Sequence, residues 1–129
     1  MLERFPKAYI LSQVIPAVSF HWKRKRILFD GDPIFMNSQR LQTFALKGTK
    51  CVTCGIEGVV FYKECGGGSK YILYHLNLYA INKRGKEVLM TKDHIIPKIK
   101  GGSNYLSNYQ TMCKPCNEKK GCQLKQLKC

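Results

Sequence analysis

The chain has 129 residues, with 22 Lys and Arg against 8 Asp and Glu, for a formal net charge of +14. That length gives one modest domain that a bound metal would help to staple. The charge calls for a polyanionic partner and stays far from neutral even if four cysteines bind Zn²⁺ as thiolates. No uninterrupted apolar run approaches the ~20 residues that a membrane-spanning helix needs.

Residues 1–36 read as a basic N-terminal extension, a hairpin or docking arm, ahead of a domain over 37–129. The stretch from Tyr9 to Pro16 is too broken by polar residues for a secretory signal. Alternation of Val18, Phe20 and Trp22 predicts a short strand, and His21 inside it reads as a packing or surface residue. The run Lys23, Arg24, Lys25 and Arg26 reads as a solvated turn or as a phosphate-contacting arm, with a nuclear address as a third reading. Asn37 or Ser38 caps a predicted helix to about Lys47, with Leu41, Phe44 and Ala45 on one face and Gly48 ending it. Cys65 to Ser69 reads as a Gly-rich loop.

Over 70–81, Ile72, Tyr74, Leu76, Leu78 and Ala80 alternate with Tyr71, Leu73, His75, Asn77 and Tyr79, which predicts a strand covered on both sides. Asn82 to Gly85 is a turn into a second strand, Lys86 to Thr91. A strand over 109–112 and a helix from about Cys116 to Leu124 complete the pattern. His75 reads as a hydrogen-bonded, partly buried histidine or as an auxiliary phosphate ligand.

Seven cysteines are an odd number, and Cys51-x-x-Cys54 with Cys113-x-x-Cys116 fits paired zinc knuckles better than a secreted disulfide framework. A reducing cytoplasm is the matching compartment. Two pairs some sixty residues apart would join distant parts of a treble-clef-like fold around a structural Zn²⁺, closed to substrate. Buried or redox cysteines are the competing account. Cys65, Cys122 and Cys129 are left over as ordinary thiols.

Hydrolysis of a phosphodiester needs an activated water and neutralised charge on the phosphate. Asp93 offers a hard oxygen to Mg²⁺ or Mn²⁺, and His94 accepts a proton near neutral pH. Asn117 offers an amide oxygen, and Asn108 is a candidate to orient His94. The plain structural account makes His94 part of a strand end and Asn108 a turn residue. Adjacent strand residues point to opposite faces, so Asp93 and His94 share a site only if the strand ends or twists there.

The ordered set Asp93-His94-Ile95-Ile96-Pro97, Gly101-Gly102, Asn108-Tyr109-Gln110, Cys113-x-x-Cys116-Asn117 and Lys120-Gly121 resembles the HNH endonucleases. The likeness is to their small bacterial and phage forms. With Cys51 and Cys54 it spans roughly residues 40–125. It implies an α+β, zinc-stapled ββα-metal domain with a β-hairpin and short helices. It further implies His94 as general base, Asp93 and Asn117 holding one divalent ion, and Asn108 orienting the imidazole. Products would carry 3′-hydroxyl and 5′-phosphate ends. The last motif letter is Asn117 rather than His, a variant found in active members that bears on metal preference.

Lys98, Lys100, Lys114, Lys119 and Lys120, with Lys125 and Lys128, are candidate phosphate-backbone contacts, which bind without reading sequence. Tyr105 and Tyr109 either stack on bases or pack beneath the loop. The resemblance favours double-stranded DNA as substrate, with phage DNA-processing proteins as further partners and the host cytoplasm as location for a phage-encoded protein. The competing functions are a non-catalytic zinc module that binds nucleic acid and a structural subunit of a phage DNA-processing complex.

Overall fold

The computed structural model describes residues 4–14, 26–29, 31–66 and 73–124. In chain order these form β1 (Arg4–Pro6), α1 (Lys7–Ser12), β2 (Arg26–Phe29), β3 (Asp32–Phe35), α2 (Gln39–Lys47), β4 (Gly58–Gly66), β5 (Leu73–Ile81), β6 (Glu87–His94), β7 (Tyr109–Cys113) and α3 (Lys114–Leu124). Single 3₁₀ turns at Lys98–Lys100 and Leu106–Asn108 shape the excursion between β6 and β7. The arrangement is a small mixed one of sheet and short helices. The strand expected at Val18, Phe20 and Trp22, the basic residues 23–25, and Lys125, Lys128 and Cys129 lie outside the described residues.

Antiparallel pairing orders one sheet as β1-β4-β5-β6-β7, and β2 with β3 forms a separate hairpin. Ile10, Phe29, Ile34 and Met36 share one apolar cluster with Leu41, Phe44, Phe61, Leu76, Leu78 and Met90. Residues 4–14, 26–29 and 31–36 belong to the stretch read from sequence as a basic extension forming a hairpin or docking arm; here β2 and β3 form a hairpin, and β1 joins the main sheet. The physical reason is that β1 covers the open edge of β4, which would otherwise present unpaired backbone groups. Two ion pairs reinforce the join. Lys63 Nζ on β4 reaches Asp32 at 2.6 Å and the Phe29 carbonyl at 3.1 Å. Lys7 Nζ on α1 reaches Glu57 at 2.7 Å. Hydrogen bonds from Lys7 and then Thr49 hold the Glu57 carboxyl below its ordinary range. That contribution is present above the usual carboxylate pKa and is lost as pH falls through the lowered one.

α2 begins as its sequence dictates. Ser38 Oγ accepts the Leu41 N–H at 3.2 Å, and Gly48, at φ 93°, ends the helix in a conformation that suits glycine. Leu41 and Phe44 are buried, whereas Ala45 faces solvent. Ala45 lies about 100° around the helix from Phe44, beyond the stripe that meets the sheet. On β5, Leu76, Leu78 and Ala80 are buried and His75 is exposed. Cys65, read from sequence as loop, belongs to β4.

β6 extends three residues beyond the expected end at Thr91, reaching His94. Met90 is fully buried toward α2, and the even positions Lys92 and His94 follow it on that face. Thr91 and Asp93 point the other way, under α3. Among the described residues, no helix is long and apolar enough to cross a membrane. Phe44→Ala should lower stability by roughly 3–5 kcal/mol in urea unfolding, while Ala45→Lys should stay within about 0.5 kcal/mol of the parent. Equal losses would contradict the packing of α2.

Candidate functional site

Two thiol pairs converge first. Cys51 and Cys54 occupy a tight turn in which Gly55 N–H donates to the Cys51 carbonyl at 2.9 Å, and Gly55 adopts φ 80°. Val52 N–H donates to the Thr111 carbonyl at 3.1 Å, docking the turn on β7. Cys113 ends β7, and Cys116 stands in the first turn of α3. All four Sγ atoms lie within 4.8 Å of one another, with Cys54 and Cys113 at 3.7 Å. Tetrahedral zinc with bonds of about 2.3 Å requires edges of about 3.8 Å, so these cysteines fit a structural metal such as zinc. Burial opposes ionisation of Cys51, but the backbone around Cys54, Cys113 and Thr53 hydrogen-bonds its sulfur and draws the pKa down to about 6. Burial pushes Cys113 and Cys116 up. Cys65 is exposed and Cys122 half-buried, both apart from the cluster.

β6, β7 and α3 then carry the polar centre. Asp93 lies opposite Gln110 in the β6–β7 register. Its Oδ2 accepts from Gln110 Nε2 at 2.9 Å and from Lys120 Nζ at 2.6 Å. The same ammonium donates to the His94 carbonyl at 2.7 Å. Lys120, expected as an outward phosphate contact, is thus turned inward as the counter-ion of a carboxylate whose side chain is only 12% exposed. One helical turn earlier, Asn117 Nδ2 donates to Thr91 Oγ1 at 2.9 Å, and Thr91 passes its own proton to the Met112 carbonyl at 2.7 Å. Because the threonine proton is committed, Asn117 must present its nitrogen there, which leaves its amide oxygen available. Asp93 and Asn117 therefore lie on the α3 side of β6 and offer hard oxygen donors.

His94 occupies the other face, at the last position of the strand. Its ring meets Tyr109 edge-on, with centroids 5.0 Å apart, and its Nε2 lies 2.9 Å from Asn104 Oδ1. A carboxamide oxygen only accepts, so Nε2 is the donor in this bond, and Nδ1 is the nitrogen that can accept a proton in the neutral ring. Asn108, expected to orient this ring, does something else. It is buried, accepts the Ile96 N–H at 2.9 Å, and donates to the Ile96 and Ser103 carbonyls at 3.0 and 2.8 Å. It staples the 95–108 excursion, while Asn104 holds the imidazole. Gly102 is required in that fold, since a Cβ there would overlap the Ile96 carbonyl.

Sequence reasoning missed Asn104 and Gln39, and gave Gln110 no role although it stands in the motif. Gln39 accepts from Tyr109 Oη at 3.0 Å and Lys92 Nζ at 2.9 Å, and donates to the Asn104 carbonyl at 3.3 Å. Gln110 was discoverable from the strand pairing, whereas Asn104 follows two glycines and reads as a loop tip. Lys98, Lys100, Lys114 and Lys119 are exposed. Tyr109 is buried and Tyr105 exposed.

Residues 82–126 match the family model described as HNH endonuclease. The matched stretch contains Asp93, His94, Asn108, Cys113, Cys116, Asn117 and Lys120 and stops short of Cys51 and Cys54 at its N-terminal side. No curated protein and no solved structure matches the chain. The family likeness supports a nuclease acting on nucleic acid. Cys113→Ser should cut the zinc content of purified protein and broaden its thermal melt, read by elemental analysis and calorimetry. Parental values for both would remove the metal from the thiol cluster.

Proposed function

We propose that the chain is a metal-dependent endonuclease that hydrolyses DNA phosphodiester bonds, built on a ββα-metal unit of β6, β7 and α3. The observation that carries this reading is His94 at the end of β6, its Nε2 engaged by Asn104 and its Nδ1 free, one residue beyond a carboxylate under α3. Cys51, Cys54, Cys113 and Cys116 hold structural Zn²⁺ and fix the start of α3. Asp93 and Asn117 hold Mg²⁺ or Mn²⁺. When bound there, that ion supplies positive charge to the scissile phosphate and the departing oxygen.

His94 Nδ1 takes a proton from water, and the resulting nucleophile attacks phosphorus in line. The bond to the 3′ oxygen breaks and that oxygen takes a proton from solvent, leaving a 3′-hydroxyl and a 5′-phosphate. Asn104 keeps the imidazole in the tautomer that leaves Nδ1 unprotonated, and Asn108 maintains the loop that carries Asn104. Lys120 supplies the positive charge that the Asp93 carboxylate needs while no divalent ion is bound. Exposed Lys98, Lys100, Lys114 and Lys119 bracket the backbone of double-stranded DNA.

His94→Ala should lower plasmid cleavage in Mn²⁺ by roughly 100-fold or more while zinc content stays parental. Asn104→Ala should lose about fivefold to tenfold, the worth of one hydrogen bond near 1 kcal/mol. Cleavage by His94→Ala at the parental rate would defeat the assignment. The Lys120 contact is tested separately. Without its ammonium, Asp93 is a poorly compensated, largely buried charge, so Lys120→Met should lose up to about 3 kcal/mol in divalent-free buffer. Mn²⁺ should then raise its melting temperature more than that of the parent; equal Mn²⁺ responses would place the ion elsewhere.

A further inference from the structure

On the face of β6 that carries His94, a cavity of about 500 Å³ opens where α2 begins, lined by Ser38, Gln39, Arg40, His75, Leu76 and Lys92 among others. The described residues lining it include no carboxylate. Arg40 Nη2 donates to the Leu76 carbonyl at 3.1 Å, but its buried Nε has no partner. Lys92 Nζ lies 4.2 Å from the centre of the Tyr109 ring and is bonded to Gln39, a neutral acceptor. Glu64, the carboxylate that acts on Arg40, is already engaged by Asn77 at 2.9 Å and by Tyr79.

Arg40 and Lys92 have only neutral hydrogen-bond partners here, and Glu64 acts on Arg40 only through space. Burial and the Arg40 charge lower the pKa of His75 at the rim. Like charges held together in a partly dry cavity are unfavourable until an anion joins them. The start of α2 adds to the field. Ser38 takes the Leu41 N–H, while the N–H groups of Gln39 and Arg40 precede the first intrahelical bonds, at the positive end of the helix.

We propose that this cavity is a phosphate-binding subsite that holds a backbone phosphate of the nucleic-acid strand, on the opposite side of β6 from Asp93. Arg40 and Lys92 supply charge-assisted donors, the first turn of α2 supplies backbone N–H groups, and His75 closes the rim. Gln39 links the subsite to the residue that holds His94, since it bonds Lys92 on one side and the Asn104 backbone on the other. The identity of the ligand as a strand rests on the nuclease reading; the affinity of the cavity for phosphate does not.

The test is a titration of zinc-loaded, ¹⁵N-labelled full chain in divalent-free buffer, first with inorganic phosphate and then with a short single-stranded oligonucleotide lacking terminal phosphates. Both should shift the Arg40 Nε–H resonance and the Gln39 and Arg40 amides, and phosphate should compete with the oligonucleotide for them. Lys92→Met should weaken both by roughly tenfold, the loss expected for one charge-assisted hydrogen bond. Lys83→Met, which removes the same charge from the exposed 82–85 turn, should leave both unchanged. Arg40→Gln tests the guanidinium, and Lys92→Met stands in for it if that variant fails to fold. Resonances that move with neither ligand would overturn the site. Movement with phosphate alone would overturn the assignment to a strand, and equal losses in Lys83→Met and Lys92→Met would reduce the effect to general charge. No divalent ion or cleavage enters the measurement, so a protein without nuclease activity can still bind phosphate here, and an active one can fail to.

Discussion

Side-chain alternation along β6 is the constraint on which the arrangement depends. Four consecutive residues, Thr91, Lys92, Asp93 and His94, send their side chains alternately to two faces. Thr91 and Asp93 meet α3, through Asn117 and Lys120. Lys92 and His94 meet the other layer, through Gln39, Tyr109 and Asn104. A one-residue slip of β6 against β7 would exchange the two sets. The β6–β7 register, with Asp93 opposite Gln110 and His94 opposite Tyr109, is therefore the feature that separates a carboxylate centre from an imidazole centre. β6 ends at His94, so this imidazole stands at the last position of the strand, one residue from the carboxylate on the other face.

The position of α3 has an unusual physical basis. None of its described residues is fully buried and Cys116 is the one packed against the apolar cluster, so it gains little of the apolar packing that stabilises most short helices in proteins. Three polar attachments hold it instead: Cys116 in the thiol cluster, Asn117 on Thr91, and Lys120 on Asp93 and the His94 carbonyl. Thiol clustering at the start of α3 and the ion pair further along it act on opposite ends of the same lever. This explains why four cysteines are located next to polar chemistry that they do not touch.

Much of this was legible in the sequence, where the signal was local. The Ser38 cap, the Gly48 stop, the alternation from Leu76 to Ala80 and the spacing of the cysteine pairs each rest on contacts within a few residues or on a fixed ligand chemistry. The errors arose where a residue's partner lies far along the chain. Ala45 was placed on the buried face because the width of the stripe depends on what α2 packs against. Residues 1–36 were read as a hairpin or docking arm, and nothing local announces that β1 completes the edge of β4. Asn108 was expected beside His94. A buried loop needs its backbone groups met, and an asparagine, with both donor and acceptor, meets three of them at once. Asn104 then takes the place beside the imidazole, and no spacing rule distinguishes it from an ordinary turn residue.

The two faces of β6 also differ in how their cations are balanced. Under α3, the Lys120 ammonium already has a carboxylate and a carbonyl oxygen at hydrogen-bond distance, so an incoming anion gains little from it unless another cation first takes over Asp93. Beside α2, Arg40 and Lys92 have only neutral oxygens as hydrogen-bond partners. The cation pair without a carboxylate hydrogen-bond partner therefore lies on the His94 side of the strand, not beside Asp93. On the proposals above, strand binding and the Asp93 centre fall on different faces of one strand, so that filling the phosphate subsite would not disturb the ion pair that holds α3.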